Sequence, residues 1–400
     1  MNITRRSILL ILMTAAIIAG CKKREGTELQ KVNLTVKVDF PDGFKNTAAA
    51  SAEVKLINKG TGTVLTSTTN AEGIATFAEV ISGTYDLSSS RTLSAEEHAA
   101  QTGSLLAMSL NASKPDVPVN PGVSTITLKL AGSAAGNLVI KEVYYTGSKT
   151  ASGGTYFSDQ FIELYNNSAE VIYLDGLCIS DIYGNSGLIN TNSLPTPFNT
   201  DHDHVYGSNV WRIPGTGKQH PLNPGASIII AQDGVNHKEA TLNPNSPVDL
   251  SKADWETYNE RPDNRDADAP GVPNLERVYF TGGFDWLVTV FGPGIVIYKP
   301  QDANALEKVV VPGGTTQYVK VPNTIVLDAF EALKDGNSGS FKRIPAALDA
   351  GFGFASGTYT AESFRRKQAS VSGGRIILQD TNNSGTDFEK LTVPTPKSFK

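Results

Sequence analysis

The chain has 400 residues, of which 40% are hydrophobic and 19% charged, and a formal net charge of −5. That is enough apolar material for two or three cored domains, and mild acidity without a basic stripe excludes the counterion-releasing surface that nucleic-acid binding needs. Two cysteines are too few for a disulfide-built scaffold.

Arg5 and Arg6 give a cationic start, an apolar run extends from Ile8 to Ile18, and the small residues Ala19 and Gly20 precede Cys21. This is the layout of a secretory signal, and its apolar run is shorter than the ~20 residues a membrane-spanning helix needs. Ile18-Ala19-Gly20-Cys21 resembles the bacterial lipobox, which implies cleavage between Gly20 and Cys21 and a diacylglyceryl group on the Cys21 thiol. Lys22, Lys23 and Arg24 stand where the sorting rules of Gram-negative lipoproteins place an Asp for inner-membrane retention. The resemblance therefore implies an outer-membrane, lipid-anchored protein, with its periplasmic or extracellular orientation left open. Residues 1–20 read as signal peptide and 21–30 as a lipidated tether. Cys178 is then a lone thiol in an apolar stretch, expected to be buried and inert.

Val32, Leu34, Val36 and Val38 alternate with polar residues, the period of a half-buried strand. Val54 and Leu56 lead into Asn58-Lys59-Gly60-Thr61-Gly62, a turn with two glycines, and a further turn and strand occupy 69–77. Gly83 to Leu87 and Val123 to Leu130 add strands, while 91–111 reads as a short helix or irregular loop. Short strands so punctuated predict a small β-sandwich over 31–131. Thr69-Asn70-Ala71-Glu72-Gly73-Ile74-Ala75-Thr76-Phe77 and Gly83-Thr84-Tyr85 resemble the carboxypeptidase regulatory-like domains, which implies a transthyretin-like, non-catalytic sandwich.

Next come β-rich runs over 137–145, 161–168 and 171–181. With the Pro-Gly turn before Ile228 and the closing pieces Phe364-Arg365-Arg366, Asp387-Phe388 and Pro394 to Pro396, they resemble the lamin-tail domain, an immunoglobulin-like sandwich, with Cys178 in place of the family's aromatic residue. The resemblance brackets 137–400 but the family domain is under half that length. The surplus is expected in insertions near 182–220 and 236–284, long stretches rich in Pro, Asn, Asp and Gly where binding is expected. Trp286 to Phe291 and Ile295 to Tyr298 predict a hairpin about Gly292-Pro293-Gly294. The fold class expected is thus all-β, with two sandwiches following a lipoprotein signal peptide.

Few residues suggest chemistry. Asp201, His202, Asp203 and His204 bring carboxylate and imidazole donors together, with His220 or His237 as a further ligand for zinc or another divalent metal. Asp380, Asn382, Ser384 and Asp387 form an oxygen-rich stretch like a calcium loop, as does Asp263 to Asp268. Trp211, Trp255 and Tyr258, inside the polar insertions, are candidate ligand-stacking aromatics, and at least one of Tyr144 and Tyr145 is expected at the surface. Glu142 and Glu163 on neighbouring strands have the pairing of glycosidase carboxylates, but fall in the strand signature, which favours a structural role. No catalytic residue and no required cofactor is assigned.

Taken whole, the chain resembles exported lipoproteins of unknown function, some associated with TonB-dependent uptake. The expectation is a non-enzymatic outer-membrane lipoprotein that binds a ligand, surface partner or receptor. Two other readings stay open: a metal-dependent hydrolase acting on glycans or phosphoesters, and a structural or adhesive surface protein.

Overall fold

The structure is a computed structural model that describes residues 30–102, 108–134, 137–185, 189–266, 268–286 and 288–399. The expected signal peptide over 1–20 and the expected cleavage and lipidation residues Gly20 and Cys21 lie outside these. Among the described residues, no helix is long and apolar enough to cross a membrane.

Alternation organises the first unit. In Lys31–Asp39 the side chains of Val32, Leu34, Val36 and Val38 are buried, and the strand pairs antiparallel with Ile74–Ile81 and parallel with Thr125–Lys129. The facing five-stranded sheet runs Val64–Thr68, Glu53–Asn58, Gly83–Leu93, Met108–Val119 and Ala131–Ala134. Leu34, Val36, Val54, Leu56, Leu87, Leu110 and Ile126 form the core between them. The 69–77 turn needs its glycine: Gly73 has φ +73°, and a Cβ there would lie 2.6 Å from the Val38 carbonyl oxygen. The 91–111 stretch resolves into the helix Ala95–Thr102 between two long strands. Ser94 caps it, accepting from the Glu97 amide (3.2 Å) while the Glu97 carboxylate accepts from the Ser94 amide (2.9 Å).

The second unit is two packed sheets. One runs Trp255–Glu256, Ser227–Ala231, Phe161–Asn166, Leu138–Tyr144, Ser363–Arg366 and Phe388–Leu391. The other runs Lys308–Val310, Gln317–Pro322, His204–Arg212, Cys178–Ile182, Gly294–Tyr298 and Val326–Glu331, with Glu276–Phe280 also pairing to His204–Arg212. Ile140, Ile162 and Leu164 from the first meet Ile179, Trp211, Ile297 and Phe330 from the second. The result is all-β and sandwich-like, as expected.

Three expectations are corrected. Both Tyr144 and Tyr145 are buried, because the sheet is covered on both faces: Tyr145 enters the central core, and Tyr144 packs with Phe161, Ile229, Val248, Leu250, Ala253 and Val272. The stretch 236–284 therefore supplies an outer apolar layer instead of a free loop. Within 182–220, His204–Arg212 is a buried interior strand. Its polar Asn209 is satisfied by donating to Asp181 Oδ1 (3.0 Å) and accepting from the Thr281 amide (3.0 Å). Among the described residues no hairpin forms about Gly292: Gly294–Tyr298 pairs with Cys178–Ile182 and Val326–Glu331, and Trp286 is a core residue outside any strand.

Polar bonds join the units, with Asn111 Nδ2 donating to the Thr381 carbonyl at 2.7 Å. Beside this junction runs a groove whose lining includes Ile57, Val64, Pro115, Phe352 and Phe354. Its apolar side chains stay partly in water: Val64 is 52% exposed, Phe354 46% and Ile57 39%.

Candidate functional site

Where strand Ser227–Ala231 ends, the chain turns through Gln232 and Asp233 against the short parallel strand Trp255–Glu256. The following loop returns Asp266, and Asp285 arrives just before the core residue Trp286. One carboxylate oxygen from each of Asp233, Asp266 and Asp285 lies within 4.8 Å of the others. Asp266 and Asp285 are buried, and Asp233 is half-buried.

Backbone and amide donors fix this cluster. Asp266 Oδ2 accepts from the Asn259 amide (2.8 Å), and Asp285 Oδ2 accepts from Gln232 Nε2 (2.5 Å). Glu256, at the side, is tied by the amides of Gly234 (2.7 Å) and Ala269 (2.8 Å). Yet two buried oxygens next to the cluster, Asp285 Oδ1 and Gln232 Oε1, have no hydrogen-bond partner among the described residues. Burial, and then the neighbouring Asp285 and Asp266, push the Asp233 carboxyl far up; burial followed by Asp266 does the same to Asp285. Burial also raises Asp266, and takes Glu256 to about 7. Among the described residues no Lys or Arg forms an ion pair with Asp233, Asp266 or Asp285. The donor set is all oxygen, which suits a hard divalent cation.

The residues singled out from sequence fall elsewhere. Asp201 and His204 pair with each other (Nδ1 to Oδ2 3.0 Å), and Tyr206 Oη donates to Asp201 at 2.6 Å. Burial works against the Asp201 anion, but these bonds and the Asp203 amide hold its pKa at about 2. His202 and Asp203 are exposed, and their carbonyls accept from Asn323. His220 packs edge-on against Trp255, and His237 is held between Tyr156 Oη (2.8 Å) and the Asp233 carbonyl (3.0 Å). The Asp/His stretch thus closes on itself, and among the described residues it gathers no third ligand.

The calcium-like loop is corrected as well. Asp380 and Asp387 face the buried Arg366 guanidinium at 3.1 and 3.6 Å, Asp387 also accepts from the Thr381 and Asn383 amides, and Ser384 donates to Asp349. Asn382 is buried at φ +53°. A fixed guanidinium stands where the ion was expected. Trp211 and Trp255 are core residues, unable to stack on a ligand, and Tyr258 is half-buried. Cys178 is fully buried, and burial pushes its thiol up to about 12. Asp266 lies in the Asp263 to Asp268 stretch noted from sequence; Asp233 and Asp285 carry no local signal beyond flanking apolar strands and a Gly or Trp.

Residues 223–395 match the model of a family described as "Protein of unknown function (DUF4876)". A crystal structure of a DUF4876 family protein from Bacteroides thetaiotaomicron is 28% identical, with a TM-score of 0.60 over 91% of this chain and 96% of that one. Fervidolysin from Fervidobacterium pennivorans, a keratinolytic enzyme related to subtilisin, aligns at 13% identity over 49% of this chain and 30% of its own, with a TM-score of 0.19. No curated protein matches.

Proposed function

We propose that the chain is a non-enzymatic cell-envelope lipoprotein, anchored in the outer membrane through Cys21, that holds a partner protein instead of transforming a substrate. The observation that supports this reading is how fully the paired carboxylates are committed to the framework. Glu142 accepts from Ser363 Oγ (2.6 Å), the Thr395 amide (2.9 Å) and Thr395 Oγ (3.1 Å). Glu163 accepts from Lys141 Nζ (2.8 Å), Ser227 Oγ (2.5 Å) and the Lys397 amide (3.2 Å). Both are fully buried, whereas a glycosidase acid or nucleophile must meet its substrate. They tie the C-terminal segment to the sheet.

Contact with the partner is assigned to the groove at the unit junction. Val64 belongs to the edge strand Val64–Thr68, so an extended segment with apolar side chains could lie on Ile57, Val64 and Phe354 beside an open strand edge. A component of a TonB-dependent uptake system is the partner class this reading favours. Affinity capture of the lipidated chain from detergent-solubilised outer membranes tests it. Stoichiometric co-purification of a membrane receptor is expected; recovery of the chain alone, or turnover of glycan or phosphoester substrates, would overturn the proposal.

A further inference from the structure

From the Asp233, Asp266 and Asp285 carboxylates and the adjoining Gln232 amide, we infer a calcium site that staples the outer layer of the second unit to its sheet. It goes beyond the partner-holding reading and stands or falls separately.

Geometry carries the case. Calcium is bound by six to eight oxygens at ~2.3–2.6 Å, so two ligands on opposite sides of one ion are about twice that distance apart. The three carboxylate oxygens lie within 4.8 Å of one another, inside that span. They come from three separate pieces of chain, which only the folded state brings together. Independent of the cluster, the Gln232 side chain is 3% exposed, and its Oε1 has no partner among the described residues. That oxygen shares a carbon with the Nε2 bonded to Asp285, so the unpaired acceptor sits at the edge of the same cluster. Asp285 Oδ1, also unpaired and buried, supplies a further acceptor. Buried oxygens without a donor are rare and call for an explanation, and a cation accounts for both.

Charge points the same way. Three carboxylates crowd together without a Lys or Arg ion pair among the described residues, so at neutral pH they must share protons or a cation. All-oxygen ligation disfavours zinc, and a cage from three loops without a fixed octahedral frame suits calcium better than magnesium. Held together, Asp233 and Asp266 fix the two ends of the stretch that carries Val248, Leu250 and Ala253 over Tyr144.

The test uses the full chain from residue 22, stripped of metal. Calorimetric titration with Ca²⁺ is expected to show one ion per chain, and Ca²⁺ to raise Tm by several degrees over EDTA. Tb³⁺ in its place should luminesce on Trp excitation, because Trp286 adjoins Asp285. Asp233→Asn and Asp285→Asn are expected to lose binding and the Tm rise at least tenfold in affinity, while melting in EDTA no lower than the wild type, since each removes repulsion. That last comparison separates a lost ligand from a misfolded variant. No binding at millimolar Ca²⁺, an equal response to Mg²⁺, or Asn variants that keep the Ca²⁺ response would each overturn the assignment.

Discussion

Replacing Arg366 by Leu should cost the second unit about 3–5 kcal/mol at pH 7.5, the range for removing one partner of a buried ion pair. Arg366 is 2% exposed. Its Nη2 meets Asp328 Oδ2 at 2.5 Å, Nη1 meets Asp380 at 3.1 Å, and Nε donates to the Ile140 carbonyl at 2.8 Å. The guanidinium carbon also lies 4.6 Å from the Phe388 ring centroid. Leu keeps the packing on Phe388 but strands Asp328 and Asp387, both buried, with no cation. Burial already raises the Asp328 carboxyl, so in the variant it takes up a proton, which caps the cost. An acid whose folded pKa is raised gives stability that is present below its unfolded pKa and lost as pH rises through the folded one. The deficit should therefore shrink from pH 7.5 toward pH 4. Urea unfolding followed by tryptophan fluorescence isolates the effect, because Trp211, Trp255 and Trp286 all lie in the second unit. A loss under about 1 kcal/mol, or one that grows on acidification, would refute the reasoning.

Asp349, raised by burial to about 6, accepts from Ser384 and from the Gly351 amide. Its contribution is complete below about pH 4 and lost as pH rises through 6, so Asp349→Asn should flatten the stability profile in that window, read as Tm against pH. Trp211→Ala should cost roughly 3–5 kcal/mol in urea unfolding as a core truncation; a neutral effect would restore its role as a ligand-stacking residue. The double variant Asp201→Ala and His204→Ala should cost under about 1 kcal/mol, as a part-exposed pair does, and leave metal content unchanged by elemental analysis.

Periodicity made much of the fold legible. Val32 to Val38 alternates into one core, and the Phe364-Arg365-Arg366 run is a strand that pairs antiparallel with Leu138–Tyr144 on one side and Phe388–Leu391 on the other. Two kinds of feature escaped. His204–Arg212 contains Gly207, Ser208 and Asn209, and so reads as a loop; tertiary bonds from Asn209 to Asp181 and Thr281 let it lie inside a sheet. The outer layer over Tyr144 is irregular chain, whose Val248, Leu250, Ala253 and Val272 follow no helical or strand period, so their burial leaves no pattern. Trp211 lies in that same polar-looking strand and Trp255 in a two-residue strand, so neither stands in an apolar run that marks it as core. The acidic cluster joins residues far apart in sequence, and only the Asp263 to Asp268 stretch hinted at it. Conversely, the local Asp380 to Asp387 pattern is metal-like, but Arg366, from a neighbouring strand, already supplies its positive charge.

The most direct test of the central claim is photo-crosslinking in intact cells, with a photoreactive phenylalanine analogue at position 354 in the groove and, as control, at the exposed position 393. A discrete adduct with a membrane protein from position 354, absent from position 393, is the result this account predicts. No adduct from 354, or the same adducts from both positions, would contradict it.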